Sequence, residues 1–246
     1  MGVAVEHALG RLGTDEREAL ERYGARAVWP VGFTIYQRGS QADGVFVVLG
    51  GRIVLRSRVR AGRGFVPTIA TADDSFGAEG LAPNACYVTD AKADEESETL
   101  HLSGSRFREL VRERPQQAIA LIGRVMAERN ALLDKLRELT TLSVEQRLLS
   151  TLLRVSQKRT FTENDGSIVL CSARYRLLCE LVGATRESVS LVLSRLTGEG
   201  VVQRRGTSFV IARPADLMER LDQDLIEREP ELGATGNGLG PPTTVS

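Results

Sequence analysis

Arg186, Glu187 and Ser190 are the side chains whose types and spacing point most directly to chemistry in this sequence. An arginine can pair with the O6/N7 edge of guanine, a glutamate can accept from the cytosine amine, and a serine suits base edges or phosphates. They act together if they share the exposed first turn of one helix and that helix enters a major groove. The surrounding run, LCELVGATRESVSLVLSRLTGEGVV from Leu178 to Val202, supplies such a helix. Leu178, Leu181 and Val182 close one apolar face, and Gly183-Ala184-Thr185 breaks it. Val189, Val192, Leu193 and Leu196 then line the buried side of a second helix. This is the pattern of a helix-turn-helix, the glycine supplying its tight turn. Thr185 stands where an N-cap is wanted, and Glu187 suits the positive end of the helix dipole. The competing reading is a helical hairpin inside another kind of domain. What flanks the motif favours DNA.

Charge is one such flank. The 246 residues are neutral overall, with 32 basic and 32 acidic side chains, but the distribution is uneven. Residues 140–213 carry 11 basic against 6 acidic, a net of +5, whereas residues 214–246 carry 2 against 7, a net of −5. The positive segment holds the helix-turn-helix, as a phosphate-facing surface requires.

Stepping along the chain, Thr14 to Arg26 has the pattern of a short helix, followed by a β-rich stretch. Short strands are expected at Ala27–Trp29, Phe33–Tyr36, Val45–Leu49, Arg52–Arg60, Phe65–Thr71, Tyr87–Ala93 and Glu98–Leu102, punctuated by glycines. Many short strands with glycine turns predict a small antiparallel barrel or sandwich. After Pro115 a long helix follows, with Ala118, Ile122, Val125, Arg129, Leu132, Leu136 and Leu139 forming an a/d seam that Ile119, Met126 and Leu133 widen. Such a seam favours a parallel homodimer over an internal core, with Arg129 an irregularity whose stem can snorkel. Thr140-Thr141-Leu142 interrupts the pattern as a hinge. Ser143 with Gln146 then makes a capping box for a helix running to about Lys158. Beyond the helix-turn-helix, Val201–Ile211 reads as two strands around a glycine turn, a β-wing whose Arg205 is placed to meet a phosphate. Pro214–Glu229 reads as an acidic helix with Leu217, Leu221 and Leu225 inward, before a tail of disordered composition.

In this order, sensor barrel, long helix, hinge and winged helix resemble the cyclic AMP receptor protein/FNR (Crp/Fnr) superfamily of bacterial transcription regulators over roughly residues 12–212. VGATRESVSLVLSRL at Val182–Leu196 is similar to that family's V-G-x-[ST]-R-E-[ST]-V pattern, and GAEGL at Gly77–Leu81 stands beside its G-E-x-x-L. The resemblance implies an α+β fold: an N-terminal cyclic-nucleotide-binding-like antiparallel β-barrel of jelly-roll type, a dimerisation helix and a C-terminal winged helix-turn-helix. It implies that Arg186 and Glu187 read bases, that Thr185, Ser188 and Arg205 hold phosphates, and that RNA polymerase is a partner. Leu191 stands where the family usually carries a second arginine, with Ser190 before it as a weaker contact. Arg174-Tyr175-Arg176 opens the preceding helix and leaves charge, Arg176 above all, to hold phosphates.

The sensor cassette departs further. Cyclic-nucleotide binders of this family use a glutamate after the cassette glycine and an Arg-[Ser/Thr] pair some ten residues on. Here Ala78 follows Gly77, Glu79 is displaced by one, and the aligned pair is Tyr87-Val88. Burying a cyclic phosphate without a cation is costly, so cyclic AMP is not expected to bind. An amino-terminal cysteine cluster is lacking, and Cys86, Cys171 and Cys179 show no metal-ligand spacing. Cys179 reads as a core residue, and Cys86 beside the cassette as passive packing rather than a redox sensor. Haem would need axial ligands, and His101 reads as an exposed strand residue. Arg56, Arg58 and Arg60, with Arg52 and Arg63 nearby, read as a solvated sheet face, an anion-binding role being the alternative.

The expected organisation is a sensor barrel at 1–114, dimerisation helix and hinge at 115–141, winged helix at 142–213 and an acidic extension at 214–246. No cofactor, metal or catalytic constellation is expected. Val45-Phe46-Val47-Val48-Leu49 is far too short to span a bilayer and no secretory signal is visible, so cytoplasm is the expected location. The expected function is a homodimeric regulator that binds double-stranded DNA at an inverted repeat, independently of cyclic AMP and with an unidentified effector. The alternative is a small-molecule or redox sensor module acting through protein contacts, with a weakened winged helix.

Overall fold

The computed structural model describes residues 11–58, 64–157 and 161–226. Helix α1 (Thr14–Tyr23) leads into eight strands: β1 (Ala25–Trp29), β2 (Thr34–Tyr36), β3 (Gly44–Gly50), β4 (Arg52–Arg58), β5 (Gly64–Thr71), β6 (Ser75–Phe76), β7 (Asp90–Ala93) and β8 (Ser97–Ser103). They pair antiparallel in two four-stranded sheets, ordered β1-β8-β3-β6 and β2-β7-β4-β5. Alternation on β3 decides the layering. Phe46 and Val48 point between the sheets, against Tyr36, Ile53, Leu55, Phe76 and Tyr87. Val45 and Val47 point outward, under α1, α2 (Gly104–Glu113) and α3 (Pro115–Thr141), where Leu20, Leu110 and Leu121 cover them.

Several boundaries moved. The first helix ends at Tyr23 rather than Arg26, because Arg26 is already paired with Leu100 in the sheet. Tyr87–Thr89 precede β7 instead of belonging to it. Helix α2, opened by the hydroxyl of Ser103 accepting from Arg106 N, was not anticipated, nor were β6 and the three-residue β9 (Ile168–Leu170). The hinge is shorter than expected. Thr140 and Thr141 remain helical, their hydroxyls donating back to Leu136 and Arg137 carbonyls, and the chain breaks only at Leu142. There Ser143 N donates to Gln146 Oε1 at 3.0 Å and Gln146 N to Ser143 Oγ at 3.2 Å, the capping box that opens α4 (Val144–Gln157).

The second unit contains α4, β9, α5 (Ser172–Val182), α6 (Arg186–Gly198), the wing strands β10 (Gln203–Arg205) and β11 (Ser208–Ile211), and α7 (Asp216–Ile226). Leu217 and Leu221 of α7 are buried in the same core as α4 and α6, while the side chain of Leu225 lies outside the described residues. That core does not stop at the second unit. Val54, Val66 and Ile69, from the β4–β5 hairpin of the barrel, belong to it.

Along α3 the seam divides. Ala118 turns into the barrel-side core beside Leu121, which the heptad reading had not singled out. Leu139 is half-buried and packs on the helix-turn-helix, its Cδ2 only 2.8 Å from where a Cβ on Gly183 would stand. Between them, Val125 is half-buried and Arg129 exposed. Ile119, Ile122, Met126, Leu132, Leu133 and Leu136 are all exposed in the single chain, Leu136 at 58% and Ile119 at 60%. The opposite face holds Arg124, whose guanidinium grips Glu16 of α1 at 2.6 and 2.8 Å and the Asp73 carbonyl at 3.0 Å.

Candidate DNA interface and sensor cassette

The helix-turn-helix is built from a short list of local causes. Gly183 adopts φ +67°, a left-handed conformation that glycine reaches without strain, and so ends α5. Thr185 then caps α6, its hydroxyl accepting from Ser188 N at 3.2 Å. Val189, Val192, Leu193 and Leu196 are buried, which fixes the rotation of α6. Arg186, Glu187, Ser190, Leu191 and Ser194 are therefore left on its exposed side. Ser194 was missed in the sequence reading, although it lies one helical turn beyond Ser190. Leu191 is 75% exposed, a large apolar side chain on an otherwise polar face. Backbone N–H at the helix start, with help from Thr185, holds the Glu187 carboxyl below the usual carboxylate range. It is an ionised acceptor at neutral pH.

Around this face the residues sort by what already holds them. Tyr175 Oη donates to the Arg186 carbonyl at 2.8 Å, fixing the first turn from below. Arg174 is committed to structure, reaching Glu163 at 2.7 Å and the Val169 carbonyl at 3.0 Å, so the charge left at the start of α5 is Arg176, which is exposed. Arg195 pairs with the buried carboxylate of Glu145 on α4 and is likewise structural. In the wing, Arg205 is exposed beside Gly206 (φ +59°), and Arg204 lies over the Phe209 ring. Ser188 shares its hydroxyl with Thr185 at 3.1 Å.

The sensor cassette has closed on itself. Gly77 (φ +73°) opens a 3-10 turn, Ala78–Leu81. A Cβ on Gly77 would stand 3.1 Å from Tyr36, 3.2 Å from Phe46 and 3.2 Å from Tyr87, so three rings crowd the space beside it. Tyr87 stacks on Tyr36 with centroids 3.6 Å apart and donates from Oη to Asp43 Oδ1 at 2.9 Å. Burial pushes both phenols up, so both are neutral. Ala78 packs outward against the α1–α3 core, Glu79 Oε1 accepts from Val88 N at 3.3 Å, and the Val88 side chain is exposed.

Three expectations about the barrel are corrected. His101 is not a surface residue: its ring stacks on Phe46 at 4.5 Å and its Nε2 is buried, because Gly44 opposite leaves room that a Cβ would fill. The arginine face on β4 is not solvated: Arg56 reaches Glu180 of α5 at 3.0 and 2.7 Å, and Arg52 reaches Asp94 at 2.9 Å and Glu95 at 3.1 Å. The Arg58 side chain, Arg60 and Arg63 lie outside the described residues. Cys86 is exposed rather than packed, while Cys179 is buried as expected.

Two family models match in tandem: a cyclic nucleotide-binding domain over residues 28–114 and a Crp-like helix-turn-helix domain over residues 146–220. The chain belongs to the Crp/Fnr superfamily. Among curated relatives it is 28% identical to the cyclic AMP receptor protein of Thermus thermophilus over 216 residues, 85% of this chain and 94% of that one. It is 24% identical to the CRP-like cAMP-activated global transcriptional regulator of Mycobacterium tuberculosis over 193 residues, 78% of this chain and 86% of that one. Among solved structures, the c-di-GMP responsive global regulator CLP of Xanthomonas campestris superposes with a TM-score of 0.69 at 19% identity, covering 82% of this chain and 100% of that one. A Crp/Fnr-family regulator of Thermus thermophilus gives 0.67 at 20% identity, covering 80% of this chain and 98% of that one. These likenesses support the α+β fold of barrel and winged helix. The protein is a Crp-like transcription regulator with a DNA-binding helix-turn-helix. Among the described residues no helix is long and apolar enough to cross a membrane.

Proposed function

We propose that this regulator works as a homodimer that binds an inverted-repeat operator in double-stranded DNA without cyclic AMP. The observation that carries the reading is the exposed row Arg186, Glu187, Ser190 on a helix whose other face is fully buried. Arg186 and Glu187 read guanine and cytosine, Ser190 a neighbouring base edge, and Leu191 suits a thymine methyl where an arginine would suit guanine. Thr185, Ser188, Arg176 and Arg205 border the groove and position the helix on phosphates.

The apolar stripe from Ile119 to Leu136 supports dimerisation, since six large side chains in water along one helix favour a matching helix. Two-fold symmetry then sets the half-sites about one helical turn apart, roughly 34 Å. Cyclic AMP independence is supported by the ring-filled space at Gly77 and by the absence of a cation at Ala78, Tyr87 and Val88. RNA polymerase is the partner through which promoter-bound dimers act. Residues 1–114, 115–141, 142–213 and 214–246 serve as barrel, dimer helix, winged helix and acidic extension. Selecting genomic fragments with purified protein and titrating the enriched site against a scrambled duplex tests the proposal.

A further inference from the structure

Bordering the cassette at Tyr87, the mouth of the barrel between β1 and β2 holds an open pocket of about 440 Å³, within the range of small-molecule sites. Neither Gly77, Ala78, Glu79 nor Val88 contributes to it. Its walls are Ala25, Ala27 and Trp29 on one side and the rings of Tyr36, Phe46 and Tyr87 on the other. Its polar lining is Ser40, Gln41, Asp43 and His101 with the two phenols, and Asp43 is its one acidic side chain. Asp43 supplies a carboxylate, and no Lys or Arg lines the cavity. Asp43 Oδ1 accepts from Tyr87, and the Asp43 side chain is 69% exposed, accessible to a ligand at the mouth. His101 adds a ring nitrogen 3.2 Å from Asp43 Oδ1 but off hydrogen-bond direction, so it does not satisfy the carboxylate.

We propose that this cavity binds a small aromatic amine. A flat ring lies along Trp29, small alanines on β1 leave the room for it, and the ammonium group meets Asp43 at the open mouth. An anion of the same shape meets a carboxylate and no Lys or Arg. The site shares Tyr87 with the cassette and differs from it in the charge it selects.

Trp29 is the chain's only tryptophan and lies in the cavity wall, so its fluorescence reports occupancy. The purified full chain is titrated with phenethylamine, 2-phenylethanol and phenylacetate, which share a ring and differ in charge. Phenethylamine is expected to give a saturable change and to bind about tenfold more tightly than phenylacetate, the size of one charge-assisted contact at an exposed carboxylate. Asp43→Asn should bring the amine and the alcohol to within about threefold of each other. Ala27→Phe, which fills the cavity and spares Asp43, should abolish the response to all three. Any of three results overturns the proposal: no saturable change with phenethylamine, equal affinity for phenylacetate, or an amine preference that survives Asp43→Asn in a variant that melts like the parent.

Discussion

Arg56 of the barrel and Glu180 of the helix-turn-helix, 124 residues apart in sequence, lie 2.7 Å apart, Nη2 to Oε2, and join the two units. The pair sits above Val54, Val66 and Ile69, which share a core with α5 and α6. Sensor barrel and reading head are thus packed together within one chain, without relying on the hinge alone.

This contact makes a thermodynamic prediction. Both side chains are about three-quarters buried, so their coupling should exceed that of an open surface pair. A double-mutant cycle of Arg56→Ala and Glu180→Ala in urea unfolding should return a coupling of about 1–2 kcal/mol. Strict additivity would mean the two units do not dock this way in solution.

The DNA face makes a second. Arg186→Ala removes the proposed bidentate base contact and should cost about 1–3 kcal/mol of discrimination between operator and scrambled duplex, with the fold intact. Fluorescence anisotropy on both duplexes measures it. An unchanged ratio would remove Arg186 from base reading.

For the exposed stripe, Leu136→Asp would place a charge against its counterpart in the proposed dimer and should leave the protein monomeric at micromolar concentration. Sedimentation velocity should then show a monomer with weakened operator binding. Persistence of the dimer would assign the stripe another partner.

Lys135 is buried beside Glu138 and Arg154, and burial, with Arg154 adding to it, pushes its ammonium from an ordinary 10.5 down to about 8. A folded pKa below the unfolded one means that between those two values the unfolded chain holds more protons, so this lysine's contribution to stability rises with pH across that window. Lys135→Met should therefore stabilise the protein at neutral pH by on the order of 2 kcal/mol, and the gain should shrink as pH climbs past 8. Urea midpoints for both proteins across that range decide it. A gain independent of pH would mean the lysine is not charged and buried as described.

What the sequence showed and what it hid follow from range. The helix-turn-helix was legible because its causes are local: the period of Val189, Val192, Leu193 and Leu196, one αL glycine and one threonine cap. The Ser143–Gln146 box was legible for the same reason. Strands β6 and β9, of two and three residues, are too short to show any period. Helix α2 was hidden because Pro115 is the stronger helix-start signal in that stretch, although the Ser103 hydroxyl also caps a helix. Long-range partners left no trace: nothing near Arg56 announces Glu180, and nothing near His101 announces Phe46 on the neighbouring strand. Leu139 and Ala118 fit the heptad yet turn inward, because the barrel and the helix-turn-helix claim the two ends of α3.

The most direct test of the central claim is a titration of the selected operator with the purified protein, with and without saturating cyclic AMP. The account predicts one dimer per inverted repeat, affinity that falls steeply with salt, and the same affinity in both arms. Loss of preference for the inverted repeat, or a gain of about tenfold or more on adding cyclic AMP, equivalent to about 1.4 kcal/mol of coupling, would contradict it.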